Sequence, residues 1–255
     1  MYINKNIHNY KVAVITPYYK EGIEILKQCH QSVLIQDANV THFMIADGYP
    51  NKEVNAWDCT HITLPRAHGD NGNTPRGIGG LLAEAEGYDF IAFLDADNWY
   101  QANHLSTLLK LHDETSADVM CSFRVFHRVD GSILPISEDA ENTLEHVDTS
   151  CFLISKNAFD CLSAWIRMPK KLSPICDRIF YRLLKHRRLH IVYSKLRTVC
   201  FRSQYLYHYE IANEQPPQDH KDGSFLYECN SYLKSSTGIK ECLDRLGFWP
   251  LYENK

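Results

Sequence analysis

Phe90-Ile91-Ala92-Phe93-Leu94-Asp95-Ala96-Asp97-Asn98 is an apolar run that ends abruptly in acid. Five apolar residues without a polar break predict a strand buried on both faces, the pattern of a parallel sheet. The strand delivers two carboxylates, Asp95 and Asp97, to one point at the sheet edge. Hard divalent cations such as Mg²⁺ or Mn²⁺ take oxygen ligands of this kind and complete their shell with waters and substrate phosphates. An ordinary acidic turn has the same spelling, so the pair is read with its surroundings.

Upstream, Val12-Ala13-Val14-Ile15-Thr16-Pro17 and His42-Phe43-Met44-Ile45-Ala46-Asp47-Gly48 are two further runs of the same type. Ile23, Leu26, Val33 and Leu34 predict a helix over 21–35, and similar patterns predict helices over 77–86 and 102–114. A third strand is expected over 59–64, and the Gly-, Asn- and Asp-rich stretch 65–75 reads as loop. Strands alternating with helices of this length predict βαβ units and a mostly parallel sheet. Ligands of such sheets bind outside the carboxyl ends of the strands, where these runs place their polar clusters. Further on, 118–125 and 132–136 read as a meander about Asp130-Gly131, 137–148 as an acidic loop and 149–154 as a strand. A helix is expected over 174–185, short strands over 191–193 and 197–201, and a final helical segment over 225–246, after the break at Pro216-Pro217.

The composition narrows the class. With 44% hydrophobic residues in 255, a sizeable core can form. Lys and Arg total 27 against 31 Asp and Glu, a net charge of -4, which argues against a nucleic-acid binder. No run approaches the roughly 18 apolar residues of a membrane span, so no integral membrane segment is expected. Met1 to Asn6 shows no secretory pattern, and the nine cysteines form no C-x-x-C pair. This predicts free thiols and a cytoplasmic protein. Lys185-His186-Arg187-Arg188 reads as a solvated helix end, with peripheral contact at the inner face of a membrane as the alternative.

Four pieces in order carry a family resemblance: Val14-Ile15-Thr16-Pro17-Tyr18-Tyr19, Ile45-Ala46-Asp47-Gly48, Arg76-Gly77-Ile78-Gly79-Gly80-Leu81 and Leu94-Asp95-Ala96-Asp97. From about residue 12 to 201 the chain resembles the family-2-like GT-A glycosyltransferases. The resemblance implies an α/β GT-A fold, a Rossmann-like, mostly parallel sheet flanked by helices. It implies a glycosyltransferase domain over 1–215, with a nucleotide-binding half over about 1–100 and an acceptor half over about 101–215. Residues 216–255 would then be a C-terminal helical extension. It further implies metal-dependent, inverting transfer of one sugar from a nucleotide sugar, a UDP-sugar, to a hydroxyl of a glycan, lipid-linked or small-molecule acceptor.

By the same resemblance Thr16 and Pro17 line the base pocket and Asp47 accepts a hydrogen bond from uracil, while Tyr18 and Tyr19 are read as stacking on the base or sugar or as half-buried loop aromatics. Ala46 stands where a second acid is usual. Arg76, or Arg66 upstream, faces the ribose and phosphates, Asp95 contacts the ribose or a metal-bound water, and Asp97 binds Mn²⁺ or Mg²⁺. His208 is the expected third ligand, with His220 and His146 as alternatives. Inverting transfer needs a general base. Asp177, at a helix start, is placed there by resemblance, with Glu138 and Asp139 as alternatives. Cys176 replaces the acid that usually precedes it. Asp148 and Trp99 are expected at the acceptor, and Trp165 either there or in the core. The Gln-x-x-Arg-Trp signature of processive synthases is absent, which favours single-sugar transfer. Two other readings remain: a nucleotidyltransferase, which should show a Gly-rich, Lys-containing loop after the first strand, and a non-catalytic nucleotide-sugar binder on the same scaffold.

Overall fold

The computed structural model describes residues 7–136 and 146–251. Glu138 and Asp139 lie outside the described residues. The centre of the molecule is an eight-stranded sheet. Its first half is β1 (Val12–Tyr18), β2 (Val40–Ala46), β3 (Thr60–Thr63) and β4 (Phe90–Phe93), all parallel in the order β3-β2-β1-β4. β1 is buried along its whole length and β4 likewise, as the unbroken apolar runs require. The chain order reverses between β1 and β4. Their carboxyl ends therefore flank the crevice where a doubly wound sheet binds its ligands.

The second half adds β5 (Trp99–Tyr100), β6 (Val119–His127), β7 (Phe152–Ser155) and β8 (Ile191–Arg202), completing the order β4-β7-β6-β8-β5. β7 runs antiparallel to both β4 and β6, and β5 antiparallel to β8. The expected meander reduces to one antiparallel bridge, His127 with Ile133. The two short strands expected near residues 191 and 201 are one strand. β8 passes an irregularity opposite Cys121 to Arg124, and Lys195 takes a positive φ of 57° there.

Helices cover the sheet: α1 (Ile23–Leu34), α2 (Asn73–Ala85), α3 (His104–Thr115), α4 (Ser163–Arg167), α5 (Cys176–His186), α6 (Leu206–Ile211), α7 (Phe225–Lys234) and α8 (Ser236–Leu246). α2 starts four residues before its expected position and absorbs the end of the polar stretch. Its small residues set its distance from the sheet. A Cβ on Gly79 would lie 2.7 Å from Ile15 Cγ2, and one on Gly77 would lie 2.5 Å from Ile166 Cγ1. The helix thus rests directly on β1 and α4, with its first turn against the carboxyl end of β4.

The helices after Pro217 are not separate from this core. Cys229, Tyr232, Leu233, Cys242, Leu246 and Phe248 belong to the same buried cluster as Phe93, Trp165 and Phe180. Arg245 Nε donates to the Arg167 carbonyl at 2.7 Å, and Arg182 donates to the Pro250 carbonyl at 3.0 Å. All nine cysteines are free thiols. Among the described residues no helix is long and apolar enough to cross a membrane. Two of the cations at 185–188 have local roles. Lys185 lies over the Tyr181 ring and His186 stacks on Phe248.

Candidate active site

The turn after β4 is held rigidly. The Ser150 hydroxyl accepts the Asp95 N–H at 3.2 Å and the Asn98 side-chain amide at 3.0 Å. Asn98 Oδ1 in turn accepts the Arg202 N–H at 3.0 Å, and Arg202 Nε donates to the Asp97 carbonyl at 3.2 Å. Short side chains and a buried amide therefore fix the two acids from both sides.

Four carboxylates meet around this turn. Asp95 accepts from Arg76 Nη2 at 2.7 Å. Arg76 itself is 2% exposed and stacks on the Trp165 ring at 4.8 Å. Burial would lower its basicity, but Asp95 and its other partners raise it on balance. Asp148 pairs with Arg124 at 3.1 Å and caps the next turn by accepting the Ser150 N–H at 2.9 Å. Burial raises its carboxyl despite Arg124. Asp177 lies 2.5 Å from His146 Nε2 and accepts the Arg178 N–H at 2.7 Å. Burial pushes that carboxyl up, and His146 and Arg178 bring it below the ordinary Asp range.

Asp97 differs. Among the described residues no side chain donates to its carboxylate and no cation pairs with it within ion-pair distance. Burial, and then the negative charge of Asp95, push its pKa up to about 7 against the opposing charges of Lys221 and Arg202. Part of its surface still reaches solvent. It is a hard oxygen ligand short of positive charge, which a divalent cation beside a diphosphate would supply. The residue therefore fits Mn²⁺ or Mg²⁺, although no cluster of three metal-ligating side chains exists among the described residues. His208 does not complete such a cluster. Its Nδ1 bonds to the Ser203 hydroxyl at 2.8 Å within an aromatic cage of Phe126, Phe201 and Tyr205. Burial, helped by Arg124 and His146, lowers its pKa to about 3.

The expected base-pocket residues divide. Asp47 is at the carboxyl end of β2 and is 4% exposed. Its carboxylate accepts from the His68 N–H at 3.0 Å and from His68 Nδ1 at 2.6 Å. Gly48, at φ 82°, makes this approach possible, since a Cβ there would stand 2.3 Å from the Ala67 nitrogen. Thr16 does not reach the crevice. It is fully buried, with its hydroxyl bound to His42 Nε2 at 2.8 Å. Pro17 packs against Gly72 at the loop before α2. Tyr18 is a wall: its hydroxyl contacts His61 Nε2 at 2.6 Å and accepts the Asn51 N–H. The exposed aromatics are Tyr19 and Tyr49, which meet edge to face at 4.8 Å beside Lys20. They line an open pocket of about 520 Å³ at the ends of β1 and β2.

Trp99, expected at the acceptor, lies between His127, at 4.5 Å, and the Arg202 guanidinium, at 5.0 Å. Trp165 is core, stacked on Phe180. His68, His146, Ser150 and Tyr205 were not assigned these places from sequence. Tyr205 faces all four acids, and Lys221 lies over its ring at 5.3 Å. Only Ser150 left a local signal, as the capped residue after Asp148.

This arrangement of strand ends, helix start and acidic turn is matched by a family model. The model described as glycosyl transferase family 2 covers residues 13–170, more than half of the chain. The chain belongs to glycosyl transferase family 2. The chain has the GT-A fold and also matches solved structures. The S. aureus TarS 1-349 crystal structure in complex with UDP superposes with a TM-score of 0.59 at 16% identity, over 92% of this chain and 66% of that one. The same protein in complex with UDP-GlcNAc gives 0.60 at 15%, over 92% and 67%. A longer S. aureus TarS structure gives 0.59 at 16%, over 95% of this chain and 49% of that one. The chain thus spans between about half and two thirds of the length of these TarS chains, and at such identities the likeness is one of fold. No curated protein sequence matches the chain.

Proposed function

We propose that this family 2 glycosyltransferase moves a single sugar from a UDP-sugar to a hydroxyl, with inversion and with a divalent cation at Asp97. The observation that carries the reading is the charge pattern of the four acids. Asp95, Asp148 and Asp177 each have a cation or imidazole of their own, and Asp97 has none among the described residues. The TarS structures that share the fold contain UDP and UDP-GlcNAc, which supports the choice of nucleotide.

The residues divide the work by position. Asp47 and the aromatic pocket at Tyr19 and Tyr49 take the base. Asp95, held by the buried Arg76 at the start of α2, faces the ribose side, and Arg76 acts by fixing it rather than by reaching the phosphates. Asp97 would hold Mn²⁺ or Mg²⁺, with His208 Nε2 as the second protein ligand while Nδ1 stays on Ser203. A cation bound there neutralises charge on the departing diphosphate. The acceptor sits on the side of Asp148 and Trp99, and its proton leaves toward the Asp177 end of the crevice. We propose the division into a domain over 1–215 and an extension over 216–255, a cytoplasmic setting, and a glycan, lipid-linked or small-molecule acceptor.

Calorimetry with UDP, with and without Mn²⁺, tests this reading. Tighter binding in Mn²⁺, with metal-dependent hydrolysis of a UDP-sugar, is the expected result. UDP affinity indifferent to the metal, or no hydrolysis across a panel of UDP-sugars, would overturn it.

A further inference from the structure

The geometry points to His146, oriented by Asp177, as the group that takes the acceptor's proton; this rests on the glycosyl-transfer reading above. Both oxygens of Asp177 are already engaged. Oδ2 lies 2.5 Å from His146 Nε2, and Oδ1 accepts the Arg178 N–H at 2.7 Å. The carboxylate also stands in the first turn of α5, where the helix dipole favours its charged form. An anion satisfied in this way gains little by accepting a substrate proton.

The imidazole is in the opposite condition. With Nε2–H donating to Asp177, the tautomer is set and Nδ1 carries the free lone pair. Among the described residues Nδ1 has no hydrogen-bond partner, and the side chain is 25% exposed. The groups facing the pair lie on several elements. They are Arg178 on α5, Asp148 and Tyr205 toward Asp177, and His208 toward His146, with Arg124 behind. The carboxylate sets the ring's orientation and stabilises the imidazolium once it forms, so Asp177 is a positioning residue. A carboxylate held below its usual range by its neighbours is poorly matched to taking the proton itself.

The step balances without a further reagent. Nδ1 takes the proton of the acceptor hydroxyl as the acceptor oxygen's electron pair forms the bond to the anomeric carbon. The bond from that carbon to the diphosphate oxygen breaks, and its electrons leave with the nucleoside diphosphate. The proton remains on His146, opposite the Asp177 anion, until solvent removes it.

The test is the pH dependence of UDP-sugar hydrolysis in Mn²⁺, with water as acceptor, by the full chain and by His146→Gln, His146→Ala and Asp177→Asn. UDP affinity is measured alongside by calorimetry. We expect His146→Gln to lower kcat by about 100-fold or more with UDP affinity unchanged. Added imidazole should restore turnover to His146→Ala, and the acidic limb of the wild-type profile should vanish in His146→Gln. Wild-type turnover with His146→Gln within about threefold of it, while Asp177→Asn is inactive, would make the carboxylate the base and overturn the inference alone. Loss of UDP binding by His146→Gln would assign the ring to the scaffold and overturn it too. A wild type that binds UDP but hydrolyses none of the UDP-sugars overturns the transfer reading, and this inference with it.

Discussion

Arg76 Nη2 donates to Asp95 Oδ1 at 2.7 Å, so one acid of the Asp95-Ala96-Asp97 turn is paired by the protein and the other has no such partner among the described residues. The pair also anchors the start of α2 to the end of β4. Removing one partner of a buried pair costs about 3–5 kcal/mol. The Asp95 side chain is 34% exposed, so water recovers part of this, and Arg76→Met should cost about 2–3 kcal/mol. Urea unfolding measures it, and a change below about 0.5 kcal/mol would mean that the pair is replaced by solvent.

Asp97→Asn should keep the fold, because it removes a charge that burial and Asp95 already disfavour. It should abolish the gain in UDP affinity on adding Mn²⁺ and reduce metal-dependent hydrolysis by at least about 100-fold, the equivalent of several kcal/mol at the diphosphate. Full hydrolysis by the variant in Mn²⁺, or in excess chelator, contradicts the assignment of Asp97 to the cation.

Gly79→Ala tests the close approach of α2 to the sheet. The added Cβ would stand 2.7 Å from Ile15 Cγ2 and 3.2 Å from Ile45 Cδ1. Overpacking of this kind costs about 1–3 kcal/mol, against a gain of about 1 kcal/mol in helix propensity. The expected net result is a lower melting temperature together with weaker UDP binding, since Arg76 rides on the same helix. A stabilised variant would show that Ile15 moves aside freely.

Acid stability depends on a histidine outside the site. His104 is fully buried, bonded to the Thr198 hydroxyl at 2.7 Å and stacked on Tyr100. Burial lowers its pKa from 6.5 to about 3. Between these values the unfolded chain binds the proton and the folded chain does not. Stability from this residue is thus present above pH 6.5 and is lost as pH falls toward 3, by up to about 1.4 kcal/mol per pH unit. His104→Gln should flatten the decline of unfolding free energy with acidification by that slope. An unchanged slope would mean that His104 is protonated in the folded protein.

The first half of the sheet was open to a reading from sequence because its strands are buried on both faces. Val12 to Ile15, Phe43 to Ala46 and Phe90 to Phe93 have no polar break, so composition alone outlines them. The second half of the sheet follows a different logic. β7 is four residues long and runs against its neighbours, and no local pattern states that it lies between β4 and β6. The site divides in the same way. Position at a strand end was enough to single out Asp47, Asp95 and Asp97. It could not show that Thr16 turns inward to His42, since direction alternates along a strand and the final residues follow the turn. Partners distant in sequence left no trace either: His68 is 21 residues from Asp47, and His146 is 31 from Asp177.

The helices after Pro217 have a consequence for how the molecule comes apart. Leu233, Cys242 and Phe248 share one apolar cluster with Trp165, which lies against Arg76, and with Phe180, on the helix that carries Asp177. Contacts of this kind join the carboxyl-terminal helices and the catalytic crevice into one cooperative unit. Heating should melt both in a single transition, and proteolytic trimming of the last helices should loosen the floor on which the sugar-transfer residues stand.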